Sequence, residues 1–134
     1  MKIIAFGASS SKNSINKSFA TYTASLFEGA ENKILDLNDF DLPLFSVDKE
    51  VNDGIPELAT KFYNIIQSAD LVIISLAEHN GSYTSAFKNL FDWVSRLSTP
   101  LFANKKLFLL STSTGQRGGK SVLDAALVRF PFHG

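Results

Sequence analysis

Cysteine is absent from the 134 residues, which excludes disulfides, thiolate metal centres and a cysteine nucleophile and fits a reducing compartment. Histidine is scarce: His79 and His133 stand far apart in the chain, so no metal site is expected. An excess of one charge is missing as well. Thirteen basic residues balance 13 acidic ones, and without a net field neither nucleic acid nor an anionic membrane surface is an expected partner. No apolar run reaches membrane-spanning length, and the apolar part of the opening "MKIIAFGASS" is too short for a secretory signal. The chain therefore reads as cytoplasmic. Repeats, low-complexity tracts and linkers are not found.

What is present is material for a core. Hydrophobic residues make up 45% of the chain and include 12 Phe, which is enough for one domain over residues 1–134. "KIIAF" at 2–6 is a buried strand stopped by Gly7. A helix follows from Ser14 to about Glu28, capped by Asn13 or Ser14, with Phe19, Tyr22, Leu26 and Phe27 as its apolar face. "KILDL" at 33–37 is a second strand, and 38–55 reads as a loop whose Phe40, Leu42, Leu44 and Phe45 must pack against something. Its length also signals a missed element.

Pro56 opens a second helix carrying Leu58, Phe62, Ile65, Ile66 and Ala69 on one face, and "LVIISLA" at 71–77 is a central strand buried on both sides. A third helix bears Phe87, Leu90, Phe91, Val94 and Leu97 and stops before Pro100. Trp93 and Tyr83 lie off or at the margin of that stripe, which points to a second buried surface between subunits. "KLFLLST" at 106–112 is strand four, and "KSVLDAALVRF" at 120–130 is a fourth helix. Strands and helices alternate throughout, so the expected fold is an α/β three-layer sandwich around a parallel sheet. If the first crossover runs one way and the next two the other, the strand order is 2-1-3-4.

Three polar, glycine-containing segments each follow a strand: "GASSSKNSIN" at 7–16, "EHNGS" at 78–82 and "STGQRGG" at 113–119. In a parallel sheet all three emerge at one rim, beside the switch between strands one and three where such folds bind ligands. The first loop can surround a phosphate with helix N–H groups, the hydroxyls of Ser9, Ser11 and Ser14, and the Asn16 amide, or it can be a solvated turn with an ordinary cap. It is neither a P-loop, since Lys12 and Asn13 stand where Gly and Lys would, nor a three-glycine dinucleotide loop. Glu78 and His79 can act as an acid/base pair or border a pocket, and the lack of a nearby nucleophile or second carboxylate favours the border. The third loop either lets a flat ligand approach its backbone or is a flexible connection. Its Arg117 is a solvated charge or meets a second ligand's phosphate.

Taken in order, these motifs resemble the NADPH-dependent FMN reductases, the flavodoxin-like group that includes bacterial azo, chromate and quinone reductases. Ala8, Ser9, Ser11, Ser14 and Asn16 fall on the family's Gly-Ser-x-Arg-x-x-Ser-x-Asn loop. "AEHNGS" and "FKNLFDW" match its Pro-Glu-Tyr-Asn-x-Ser and Leu-Lys-Asn-x-x-Asp-Trp, and Ser113, Gly115, Gly118 and Gly119 match its Ser-x-Gly-x-x-Gly-Gly. "DLPLF" looks like its loop after strand two. The resemblance implies a flavodoxin-like sandwich with FMN as cofactor. Ser9, Ser11, Ser14, Ile15 and Asn16 would hold the phosphate, and Glu78, His79, Asn80 and Gly81 would line the flavin with Ser82 close by. Ser113, Thr114 and Gly115 would approach the ring, and Gly118 and Gly119 would leave room for the nicotinamide nucleotide. It also implies a homodimer or tetramer with the helix after the second loop in the interface, which would account for Trp93 and "DLPLF".

Three departures from the family pattern bear on this. Ser11 stands for the usual Arg, Ala77 and His79 stand for Pro and Tyr, and "RFPFHG" comes where the family continues to a fifth strand and a last helix. Either the chain is truncated or that edge strand is missing, which leaves strand four as an exposed edge. The expected activity is electron transfer from NAD(P)H through FMN to a flavin, quinone, azo compound or metal oxyanion. Because the flavin carries the chemistry, no catalytic side chain is expected. A flavodoxin-type carrier would be more acidic and would place its Thr/Gly phosphate loop after strand one, whereas "STSTG" follows strand four. A receiver-like module would need acidic residues after strand one and an Asp ending strand three, where Gly7 and Ala77 stand. A fold that no longer binds flavin is the remaining alternative.

Overall fold

The computed structural model describes residues 1–98 and 100–134. Four parallel strands, β1 (Lys2–Ala8), β2 (Glu31–Leu35), β3 (Leu71–Leu76) and β4 (Lys106–Ser111), form one sheet in the order 2-1-3-4. This is the flavodoxin-like α/β arrangement the alternation of elements called for. Five helices connect or follow the strands: α1 (Ile15–Ser25), α2 (Val47–Asp53), α3 (Glu57–Gln67), α4 (Ser85–Val94) and α5 (Lys120–Arg129). Short 3₁₀ turns occupy Leu37–Phe40 and Phe130–His133. No described helix is long and apolar enough to cross a membrane.

Side chains alternate between the faces of each strand, and the core divides accordingly. Ile4, Phe6, Val72 and Ile74 pack with α3, α4 and α5, while Ile3, Ala5, Leu71 and Ile73 pack with α1. β3 is buried at every position, as its apolar run, interrupted at Ser75 alone, requires. β2 and β4 are the edge strands, and Phe108 on β4 is 44% exposed.

Four expectations need correction. The second strand runs over Glu31–Leu35 rather than 33–37, because its pairing with β1 brings the exposed Glu31 and Asn32 into register with Lys2 and Ile3. The inner face of α1 is not Tyr22 and Leu26, which are 62% and 61% exposed, but the buried Asn16, Ala20, Thr23 and Ala24. Small residues allow the helix to lie close on the sheet; Tyr22 and Leu26 point away, while Phe27, just past the helix, packs against this cluster as expected. Residues 38–55 are not a plain loop. They contain the 3₁₀ turn and α2, capped by the Ser46 hydroxyl and ended at Gly54. α2 buries no residue, so it carried no apolar periodicity.

Finally, Trp93 faces its own chain. It is 0% exposed, its indole N–H donates to Pro43 O at 2.7 Å, and its ring meets Phe45 edge-on at 5.0 Å. Asn89 completes this clamp on the "DLPLF" loop. Its Oδ1 accepts from Phe45 N–H at 2.8 Å and its Nδ2 donates to Pro43 O at 3.1 Å.

Candidate functional site

The site begins where β1 meets α1. A methyl group on Gly7 would stand 2.3 Å from Lys17 N and 2.8 Å from Asn16 C, so only glycine lets the first turn of α1 rest directly against the strand. Of the two caps the sequence allowed, Asn13 and Ser14, the helix uses Ser14. Its backbone is extended and its hydroxyl accepts from Lys17 N–H at 3.1 Å. The N–H groups of Ile15 and Asn16, in the first turn, have no acceptor within the helix. Upstream, the Ser9 hydroxyl accepts from Ser11 N–H at 3.1 Å and curls the loop toward them. Ser14 is buried, whereas Ser11 and Ile15 are exposed.

The Asn16 side chain is largely committed inside the protein. Its Oδ1 accepts from Ser75 Oγ at 2.7 Å and from Thr112 N at 3.1 Å, while its Nδ2 donates to Thr112 O at 3.1 Å. The residue is 3% exposed. A carboxamide has two acceptor positions and two N–H donors, so one N–H is left. Asn16 thus fastens the start of α1 to β3 and to the end of β4, which holds the first and third loops side by side. Asp36, at the exit of β2, flanks the same helix. Its carboxyl is held below the usual range by the Asn38 N–H and by Lys17, whose ammonium lies 3.0 Å away.

The second loop is a tight hairpin. His79 and Ser82 exchange backbone hydrogen bonds of 3.0 and 3.1 Å, and Asn80 and Gly81 between them have φ of 52° and 76°. Two positive φ values are the type I′ pattern that Asn-Gly favours. Thr84 anchors this loop to the first. Its hydroxyl donates to Ala8 O at 2.8 Å and accepts from Phe87 N–H at 3.3 Å, capping α4. Glu78 anchors it to α5, where its Oε1 accepts from Val122 N–H at 2.8 Å. His79 is exposed, and no acid/base contact joins it to Glu78.

Serine hydroxyls help to shape the third loop. Ser113 Oγ accepts from Gly115 N–H at 3.2 Å, and Ser111 Oγ donates to Gly118 O at 2.9 Å. Gly119 has φ of 78°, and a Cβ there would stand 3.0 Å from that of Ser111, so the fold itself demands glycine at this position. A Cβ on Gly115 would meet only Ser113 Oγ, at 3.7 Å. Arg117, in the loop, donates to Ser121 Oγ in the first turn of α5 at 3.0 Å.

One open cleft of about 370 Å³ collects parts of all three loops: Ser9, Ser11 and Ser14 to Asn16 from the first, Ala77 to His79 from the second, and Thr112 to Thr114 from the third. Asn80, Gly81, Ser82, Gly115, Gly118 and Gly119 lie outside its lining. A larger groove of about 630 Å³ runs along α1 past Lys12 and Lys17. It draws nothing from the second or third loop, so the shared cleft is the candidate site. Sequence reasoning missed Ser75, Thr84 and Thr112. Ser75 had a signal, as the polar residue inside an apolar strand. Thr84 had one as well, three residues before the first apolar position of α4. Thr112 acts through its backbone and had none.

The family model for NADPH-dependent FMN reductase matches residues 1–134. A quinone reductase of Escherichia coli strain K12 is 34% identical over 79 residues, covering 59% of this chain and 42% of that protein. A 2-hydroxy-1,4-benzoquinone reductase of a Burkholderia species is 32% identical over 120 residues, covering 88% of this chain and 63% of that protein. Among solved structures, a flavoenzyme NAD(P)H:(acceptor) oxidoreductase from Paracoccus denitrificans superimposes with a TM-score of 0.80 at 24% identity, over 99% of this chain and 72% of that one. The chain thus spans less than half the length of the quinone reductase it matches.

Proposed function

The chain belongs to the NADPH-dependent FMN reductase family, and from that premise we propose that residues 1–134 form an FMN-binding domain that passes electrons from NAD(P)H to a small-molecule acceptor. The acceptor classes that fit are a flavin, a quinone, an azo compound or a metal oxyanion. The observation that carries the reading is the donor set at the head of the cleft. Ser9, Ser11, Ser14, Ile15 and Asn16 line the cleft together at the start of α1, and their O–H and first-turn N–H groups would serve a phosphate monoester there, beside the positive end of the helix. These residues fit FMN. Glu78 and His79 would border its ring system, with Asn80, Gly81 and Ser82 close by, and Ser113, Thr114 and Gly115 would face it. Gly118 and Gly119 would stand on the nicotinamide side.

When bound, FMN supplies the redox chemistry, as acceptor of hydride and donor of electrons. The protein's own share is placement. Gly7 lets the first turn of α1 lie against β1, where it would meet the phosphate, Asn16 and Thr84 keep the three loops in register, and N–H groups of the third loop would favour negative charge on the ring. A homodimer or tetramer working in the cytoplasm is part of the same reading.

Gly115→Leu provides the test, because the chain itself has room for a side chain there. In stopped-flow reduction of the FMN-loaded protein by NADPH, the variant should melt within about 1 °C of the wild type, a change within the scatter of surface substitutions, yet be reduced at least about tenfold more slowly. An unchanged single-turnover rate would contradict the assignment of the third loop.

A further inference from the structure

Among the residues lining the cleft, Glu78 and His79 carry the titratable side chains, and the rest bring hydroxyls, amides or apolar groups. The Glu78 carboxylate is engaged outside the cleft, where its Oε1 accepts from Val122 N–H at 2.8 Å. The His79 side chain is not engaged at all: it has no hydrogen bond, ion pair or ring contact among the described residues. Its backbone, by contrast, is fixed. The residue flanks the Asn80-Gly81 turn, exchanges both main-chain hydrogen bonds with Ser82, and belongs to a hairpin that Thr84 ties to Ala8 O of the first loop. A free imidazole on a fixed backbone, exposed to water and lining the cleft, is equipped to pass a proton from solvent to a bound molecule.

Resting on the FMN reading above, we propose that His79 is a catalytic residue that protonates the reduced electron acceptor, and that the acceptor it suits is a quinone. FMN accounts for the electrons, but a quinone also needs a proton from elsewhere. The hydride equivalent that originates in NAD(P)H, two electrons and one proton, turns one quinone oxygen into O–H and leaves negative charge on the other. There the imidazolium N–H bond breaks as a new O–H bond forms, which gives the neutral hydroquinone and a neutral imidazole. The imidazole then recovers its proton from solvent. A His79 that merely bordered the ring would affect every acceptor alike, whereas a proton donor matters only to an acceptor that takes a proton.

The experiment has two parts. The chain has 2 histidines, and the other, His133, is 4% exposed in the turn after α5, so NMR of protein labelled in histidine alone reads each ring separately, with His79→Gln to assign them. FMN should move the His79 ring signal and leave that of His133 in place. In stopped flow without oxygen, the FMN-loaded protein, reduced by an equivalent of NADPH, is then mixed with menadione, a quinone, or with ferricyanide, which takes single electrons and no proton. In His79→Gln the menadione rate divided by the ferricyanide rate should fall about 100-fold from its wild-type value, the scale of general acid catalysis. A ratio unchanged from the wild type, whether both rates fall together or neither does, refutes the proposal. So does a His79 signal that stays in place when FMN binds. In both cases FMN is bound and the reading of the cleft stands. If flavin fluorescence shows no uptake of FMN, that reading fails and the role of His79 falls with it.

Discussion

The N-termini of α1 and α5 follow β1 and β4 at the same rim of the parallel sheet, on opposite faces of it, and they are capped by groups of different charge. α1 is pressed onto β1 at Gly7, capped by a neutral serine and opened to the cleft through Ile15 and Asn16. α5 starts from a left-handed glycine and is capped by a carboxylate reaching across from the second loop. The two turns differ in backbone geometry, an extended Ser14 against a left-handed Gly119, and in the charge of the capping group. A third helix, α4, starts at this rim behind the neutral Thr84 hydroxyl, and what sets α1 apart from both is that its first turn lines the cleft.

The comparison can be broken most severely at Gly7. Gly7→Val would drive side-chain carbons into the backbone of Lys17 and Asn16, so α1 must lift from the strand, at a cost of about 3 kcal/mol. Urea unfolding should record that loss, and FMN uptake should disappear with it. Next comes Asn16→Leu, which leaves the buried Ser75 hydroxyl and the Thr112 N–H without their acceptor. The expected cost is about 2–3 kcal/mol, with FMN affinity reduced because α1 and the third loop are no longer tied together. A smaller effect is expected of Ser14→Ala. Losing the cap should cost about 1 kcal/mol, while the drop in FMN affinity should exceed any drop in riboflavin affinity, since only FMN brings a phosphate to α1.

The smallest effect lies at the far end of α5. His133 is buried in the turn that follows the helix, edge-on to Phe91 at 4.8 Å, and neither of its ring nitrogens has a hydrogen-bond partner among the described residues. Burial, and to a lesser degree Arg129, hold its pKa below the ordinary 6.5. Between that ordinary value and the lower folded one, the unfolded chain binds the proton that the folded chain refuses. The stabilising contribution is therefore complete above pH 6.5 and declines as the pH falls toward the folded value. Melting temperatures measured from pH 7 down to 5 should show this slope in the wild type, and His133→Leu should flatten it.

Much of this comparison was legible in the sequence. Apolar runs gave β1, β3 and β4, the glycine and hydroxyl residues after them marked the rim, and Ser14 announced the α1 cap. The parts that were hidden depend on residues distant in the chain. Asn16 looked like a phosphate ligand by type and place, and nothing local shows that Ser75 and Thr112 claim most of its amide. Glu78 looked like a pocket border, and its contact with Val122 spans the whole connection between β3 and α5. Trp93 suggested a subunit interface because its partner, the "DLPLF" loop, had no assigned place until the fold was closed. Apolar periodicity also misread α1, since a helix lying close to a sheet buries Ala20 and Ala24 rather than the bulky Tyr22 and Leu26.

The most direct test of the central claim is equilibrium titration of the purified protein with FMN and, side by side, with riboflavin, followed by the quenching of flavin fluorescence. If the serine-capped terminus of α1 takes the phosphate, FMN should bind one per chain and at least about tenfold more tightly than riboflavin, in keeping with charge-assisted hydrogen bonds at a helix N-terminus. Equal affinities for the two flavins, or no saturable binding of FMN, would contradict it.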